Sequence, residues 1–308
     1  MIAFLKLIRY KNLLMVLLTM VLTKYAFIHS FIKNSYLSNL EFIFLTLSVL
    51  LITAGGYIIN DIFDIEADKI NKPNKVFVTT IISTKKAWNS YFLLNSLGFL
   101  LAIYVSISKP LYVFISIFFI TIFGLFLYSK VLKKKLLIGN FIISCFIALV
   151  IYIIYLYDFK YIEFWQLTQK EQTNSILFLQ IWVPVISYSF FAFLTTLIRE
   201  IIKDIEDVDG DIKIKAKTLP ILFGRKRASK VAFFFCCILL VFLLIVLQFI
   251  KSETIFLIYG IVFILLPFLY FMYLLIKAEK KKDFSKLSNL MKGIMLFGIL
   301  SMLLFTIT

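Results

Sequence analysis

Nine stretches of about 20 apolar residues follow one another along the chain, at roughly 12–32, 40–62, 88–107, 110–128, 136–157, 177–198, 231–250, 254–276 and 288–306. Each is long enough to cross a hydrocarbon core of about 30 Å as a helix. A mean hydropathy of +0.98, with 62% hydrophobic residues, excludes a soluble globular protein. Residues 1–308 therefore read as a single all-α polytopic membrane domain, with nine transmembrane helices around a central cavity. Lys24 and His29 interrupt the first stretch. No small-residue cleavage site follows it, so it reads as an anchor helix and not a removed signal peptide.

The net charge of +16 raises the question of nucleic acid, but its placement answers to topology. With the N-terminus inside, only Lys24, Lys33, Lys109, Lys160, Lys170 and Lys251 of the 33 Lys and Arg fall outside. That asymmetry predicts an N-in, C-out protein of the cytoplasmic membrane. Cys145, Cys236 and Cys237 all fall in expected spans, and none has the spacing of a metal site. One histidine, His29, rules out a His-based metal site.

Against this background two windows hold most of the negative charge. Asn60-Asp61-Ile-Phe-Asp64-Ile-Glu66-Ala-Asp68 ends the second span, and Asp204-Ile-Glu206-Asp207-Val-Asp209-Gly-Asp211 follows the sixth. With Glu200 they contain ten of the 17 carboxylates. Charges at a membrane edge are costly and mark function. Asp61, Asp64 and Asp68 are spaced i, i+3, i+7, and Glu200, Asp204, Asp207 and Asp211 i, i+4, i+7, i+11, so each set shares one helical face. Like charges stacked this way repel unless a cation intervenes. Magnesium takes one or two carboxylates together with water and phosphate oxygens. Two such faces on one side of the membrane would hold a diphosphate through bridging Mg2+. Helix capping or pairing with lysines explains one cluster alone, but less readily two at equivalent places. An EF-hand fails: with Gly210 as the loop glycine, Ile205 and Ala216 occupy positions that require Asp and Glu.

Basic groups surround the clusters. Lys72, Lys75, Lys130, Lys133, Arg199 and Lys203 lie near inner helix ends and read as phosphate or carboxylate ligands, or as topological charge. Both clusters are followed by basic loops, Asn71-Lys72-Pro73-Asn74-Lys75 and Lys213 to Lys217, which reads as a four-helix unit used twice plus a ninth helix. Residues 158–175, with Trp165, read as an outer interfacial segment. Glu279 to Lys286 reads as a solvated charge run without chemistry.

The motif Asn60-Asp61-x-x-Asp64-x-x-x-Asp68, followed by Lys72-Pro73, resembles the first signature of the UbiA superfamily of intramembrane prenyltransferases. Arg199-Glu200-x-x-Lys203-Asp204-x-Glu206-Asp207-x-x-Gly210-Asp211, with Thr218-Leu219-Pro220 behind it, is similar to the second signature. It is closest to the branch that prenylates a prenylglycerol phosphate. Leu127-Tyr128-Ser129-Lys130 and Gly139-Asn140 look like that branch too. One departure concerns the first loop, where the family commonly has Arg-Pro. Lysine keeps the charge but not the bidentate grip on phosphate.

The resemblance implies a Mg2+-dependent transfer from a prenyl diphosphate, geranylgeranyl by branch, with Asp61, Asp64, Asp68, Asp204, Asp207 and Asp211 as metal-binding catalytic residues. Asn60, Lys72, Lys75, Tyr128, Lys130, Lys133, Arg199 and Lys203 would bind the substrates. The acceptor is expected to be a lipid-type glycerophosphate hydroxyl, reached from the cytoplasmic face among membrane lipids. An aromatic acceptor of quinone biosynthesis stays open, since the Lys, Ile, Asn and Phe bias suggests an AT-rich, bacterial genome. A cation-coupled transporter is the alternative of a different class. It predicts charges near the bilayer midplane, whereas these lie at helix ends.

Overall fold

The computed structural model describes residues 2–31, 36–73, 76–158 and 172–307, and for 172–179 the backbone alone. The helices are α1 (Ile2–Leu7), α2 (Tyr10–Phe31), α3 (Asn39–Phe63), α4 (Ile65–Asn71), α5 (Thr84–Ser108), α6 (Tyr112–Lys130), α7 (Ile138–Asp158), α8 (Gln172–Lys213), α9 (Leu219–Phe223), α10 (Arg225–Phe249), α11 (Thr254–Lys277) and α12 (Lys281–Thr306). Among the described residues nine of them, all but α1, α4 and α9, are long and apolar enough to cross a membrane. The expected interfacial segment 158–175 lies almost entirely outside the described residues.

The chain divides into two compact units that do not follow the tandem four-helix pattern. One comprises Met1–Leu17, Leu37–Ile143 and Asp207–Leu222; the other comprises Leu18–Tyr36, Ser144–Glu206 and Phe223–Thr308.

In the first unit, α3 begins with a reciprocal cap. Glu41 N–H donates to Ser38 Oγ at 3.3 Å, and Ser38 N–H donates to Glu41 Oε2 at 2.9 Å. Lys109, at the end of α5, adds an ion pair to Glu41 at 2.9 Å and so ties those two helix ends together. Midway, Ser48 Oγ donates to the Gly98 carbonyl at 2.7 Å, a small-residue contact that lets the two backbones approach. At the opposite end Leu7, Ile58, Ile59, Ile62, Val78, Ala87 and Tyr91 form a buried core that fixes α1 and the 76–83 loop over the end of α3. Ile62 of that core, with Phe63 and Ile65 packed against it, is interleaved in sequence with Asp61 and Asp64.

The second unit contains most of α8. The sequence places the end of the sixth span near residue 198, yet the helix continues to Lys213. Ile198, Ile201, Ile202, Ile205 and Val208 are all buried at helical spacing. This apolar stripe keeps the helix packed, while Glu200 and Asp204 take another face. In α2, Lys24 lies on a π-helical stretch, Leu22–Ile28, and pairs with Asp158 at 3.7 Å, both side chains being 0% exposed. The charge that interrupts the first apolar run is thus neutralised internally. Tyr188 on α8 and Ser301 on α12 share a hydrogen bond of 2.8 Å, beside rings of Phe27, Phe256 and Phe305. Glu279 and Lys280 N–H groups donate to Asp283, so the largely exposed charge run also opens α12.

Candidate active site

The first acidic cluster spans the joint between α3 and α4. Asp64 occupies it, with φ −96° and ψ 1°. The backbone bonding nevertheless runs through, from Asp64 N to Asn60 O at 3.0 Å and from Asp68 N to Asp64 O at 2.8 Å. Asp61, Asp64 and Asp68 therefore keep the common face that their spacing predicts. Asn60 holds Asp64 directly, its Nδ2 donating to Asp64 Oδ2 at 2.8 Å.

The second cluster reaches the first through α4. Asn71 Nδ2 donates to the Asp207 carbonyl at 2.7 Å, and Gly210 N–H donates to Asn71 Oδ1 at 2.9 Å. A Cβ on Gly210 would stand 2.4 Å from Asn71 Nδ2 and 2.5 Å from the Ala67 carbonyl, so only glycine admits this approach. Lys72, next to Asn71, then pairs with Asp207 Oδ2 at 2.5 Å. Asp211 lies within Coulombic reach of Asp64, Lys133 and Lys72. The two carboxylate faces do meet.

Lys133 comes from the turn between α6 and α7. Its Nζ pairs with Asp64 Oδ1 at 2.5 Å and donates to Asn60 Oδ1 at 3.0 Å. Gly139 makes the turn possible, because a Cβ there would stand 2.6 Å from Lys133 Cα. Lys217 N–H donates to the Lys134 carbonyl at 2.7 Å, which pins this turn to the segment after α8.

Electrostatics follow from this crowding. Burial, followed by the charges of Asp64 and Asp61, raises the Asp68 carboxyl to about 6. Burial lowers the Lys133 ammonium, against the pull of Asp64. Glu66, by contrast, is exposed and paired with Lys69 at 2.7 Å on the outward face of α4, so it has no part in the site.

Other expected residues fall elsewhere. Arg199 and Lys203 both bind Glu200, at 2.7 and 3.1 Å, within the second unit. Arg199 Nε is buried without a partner among the described residues. Asp204 is half-buried on α8, one turn before Asp207. Lys130 is exposed, with its ammonium over the Phe126 ring, and Tyr128 is half-buried on α6. Lys75 lies outside the described residues.

Two members of the site were not anticipated. Arg9 pairs with Asp61 at 2.9 Å, and Asn71 bridges the clusters. Arg9 is indistinguishable in sequence from topological charge. Asn71 is flanked by the acid run and the Lys-Pro pair, which was its only signal.

Among the described residues no three Asp, Glu, His or Cys side chains converge as a ready-made metal cage. Mg2+ is commonly bound by only one or two carboxylates together with water and substrate oxygens. Asp207 Oδ1 is buried and has no hydrogen-bond partner among the described residues, which leaves one hard oxygen donor for a cation. The residues present fit such an ion.

Apolar spanning helices with carboxylate clusters that meet at one end define a polytopic membrane protein with a charged site. The chain belongs to the UbiA prenyltransferase family, whose model matches residues 12–297, and it is a prenyltransferase. It is similar to the digeranylgeranylglyceryl phosphate synthase of Methanosphaera stadtmanae, with 29% identity over 85% of this chain and 87% of that one. The synthase of the same name from Saccharolobus solfataricus is 32% identical over 82% and 80% of the two chains. A solved structure of a digeranylgeranylglyceryl phosphate synthase superposes with a TM-score of 0.67 at 28% identity, covering 99% of this chain and 98% of that one. A UbiA homolog from Archaeoglobus fulgidus, solved with GPP and Mg2+ bound, shares the fold with a TM-score of 0.61 at 16% identity, over 97% and 99%.

Proposed function

We propose that this enzyme transfers a geranylgeranyl group from its diphosphate to the hydroxyl of a prenylglycerol phosphate, using Mg2+, and that residues 1–308 act as one catalytic domain. The observation that carries the reading is the pairing of the two acidic clusters through Asn71, Gly210 and Lys72–Asp207. The match over residues 12–297 and the names of the similar synthases support it. Membership of a prenyltransferase family removes the transporter alternative. The aromatic acceptor rests on the Lys, Ile, Asn and Phe bias of the sequence, whereas the similar synthases support the glycerophosphate.

Asp61, Asp64 and Asp68 on one side, and Asp204, Asp207 and Asp211 on the other, would hold the metal. A Mg2+ held by these carboxylates would supply positive charge to the diphosphate leaving group. Lys72 and Lys133 would take up the same negative charge, and Lys75 has the same role in this reading. The C1–O bond of the donor breaks with its electron pair leaving on the diphosphate. The allylic cation is shielded from water by apolar helices, Tyr128 among their residues. The acceptor oxygen attacks C1 and passes its proton to the departing diphosphate. Arg199 and Lys203 hold the acceptor phosphate, with the buried Arg199 Nε supplying a donor, and Lys130 attracts it from the membrane edge. In the N-in, C-out orientation all this chemistry occurs on the cytoplasmic face of the cytoplasmic membrane.

The test uses membranes from an expressing host, Mg2+ and labelled geranylgeranyl diphosphate, with geranylgeranylglyceryl phosphate and 4-hydroxybenzoate offered separately. An ether-lipid product that disappears with EDTA and returns with Mg2+ is expected. A prenylated benzoate as the sole product would move the enzyme to quinone synthesis.

A further inference from the structure

Arg9 sits at the corner between α1 and α2 with φ 52°, in the left-handed region that an arginine rarely adopts. Such strain persists only where the surroundings over-determine it, and it clusters at functional sites. Here the surroundings are specific. Arg9 Nη2 donates to Asp61 Oδ1 at 2.9 Å, and the guanidinium lies over the Tyr57 ring at 4.9 Å. Asn12 Nδ2 in turn holds the Tyr57 hydroxyl at 3.3 Å.

Set beside Lys72–Asp207 and Lys133–Asp64, this contact completes a pattern. Three carboxylates of the site each carry one base, and each base comes from a different connecting segment. The Arg9–Asp61 pair is part-buried, with side chains 35% and 13% exposed, so it holds the corner while leaving part of the guanidinium open to a ligand. A guanidinium has five N–H donors in a planar fork suited to phosphate, and the hydrogen bond to Asp61 engages one.

We propose that Arg9 grips a substrate phosphate in the prenyl-transfer site. It neutralises Asp61 while that carboxylate has no metal, and offers its remaining donors to a phosphate oxygen once Asp61 serves as a metal ligand. The inference rests on the diphosphate-and-magnesium reading above. The phosphate belongs either to the donor diphosphate or to the acceptor monophosphate; their chemistry at the guanidinium is the same.

The experiment is calorimetric titration of the full chain in lipid nanodiscs with Mg2+ alone, and with inorganic pyrophosphate at saturating Mg2+. Wild type, Arg9→Gln and Arg9→Lys are compared. Arg9→Gln is expected to weaken pyrophosphate binding about tenfold, as befits a lost charge-assisted contact. It should also tighten Mg2+ binding, because Asp61 loses its competing cation. Arg9→Lys should fall between, keeping the charge but not the fork. A grip on the acceptor instead leaves pyrophosphate affinity unchanged and raises the KM for geranylgeranylglyceryl phosphate with kcat preserved. Pyrophosphate affinity and both KM values at wild-type level would overturn the proposal, as would a lowered unfolding midpoint as the sole change. If Arg9→Gln does not fold, Arg9→Lys carries the same comparison. Absence of Mg2+-dependent pyrophosphate binding in the wild type would instead overturn the reading of the site itself.

Discussion

Gly210→Ala tests the junction on which the site depends. The new methyl group would stand 2.4 Å from Asn71 Nδ2 and 2.5 Å from the Ala67 carbonyl. The first neighbour is a side chain and can rotate away, at the expense of its bonds to Asp207 O and Gly210 N–H. The second is backbone and can yield only if α4 and α8 separate. Overpacking of this kind costs about 1–3 kcal/mol, and the two hydrogen bonds are worth about 1 kcal/mol each. Alanine returns about 1 kcal/mol of helix propensity. The net destabilisation is therefore about 2–4 kcal/mol, by the same overpacking and hydrogen-bond magnitudes. Asn71→Ala alone should cost about 2 kcal/mol for its lost bonds. In the double variant the Asn71 clash is gone while the Ala67 clash remains. Its destabilisation should fall short of the sum of the singles by about 1–2 kcal/mol, the size of coupling that contacting residues show. The assay is denaturant unfolding in mixed micelles for all four proteins, with prenyl transfer measured beside it. Displacing the clusters by about 1 Å should lower kcat about 100-fold. Strict additivity, or a Gly210→Ala protein as stable and active as wild type, would refute the close-approach argument.

Two further outcomes are expected. Asp207→Ala, which also removes the partner of Lys72, should lower prenyl transfer at least about 100-fold while membrane insertion is retained, as loss of a charge-stabilising group does; full turnover would remove Asp207 from the site. Lys24→Met alone should destabilise by about 3–5 kcal/mol because it takes the cation from a buried carboxylate, whereas Lys24→Met with Asp158→Leu should be much closer to wild type. Equal unfolding midpoints for wild type and Lys24→Met would show that the pair is not buried in the folded protein.

The spanning helices were legible because 20-residue apolar runs admit one solution in lipid, whatever they pack against. The acid faces were legible too, since i, i+3, i+7 spacing is a property of any helix and survives the joint at Asp64. Where a helix stops depends on packing. The stripe from Ile198 to Val208 carries α8 some 15 residues beyond its apolar run, and hydropathy alone cannot see that. Partners across the fold were likewise hidden. Lysine and arginine at helix ends look alike in sequence, because either can serve topology there. Only tertiary contact distinguishes Arg9 and Lys133, each on an acid of the site, from Lys130, which lies exposed over Phe126.

The linear chain determined what each segment must do with water and lipid, and which side chains share a face, because those follow from local periodicity. It also carried two acidic motifs that resemble signatures of its family. The three-dimensional structure decided that the two clusters meet, through Asn71 and the one glycine that lets α4 touch α8. It decided as well that Lys24 is buried and answered by Asp158. Pairings across 136 or 134 residues have no local code, since their energy arises only when chain segments distant in sequence exclude water from the same few ångströms of space.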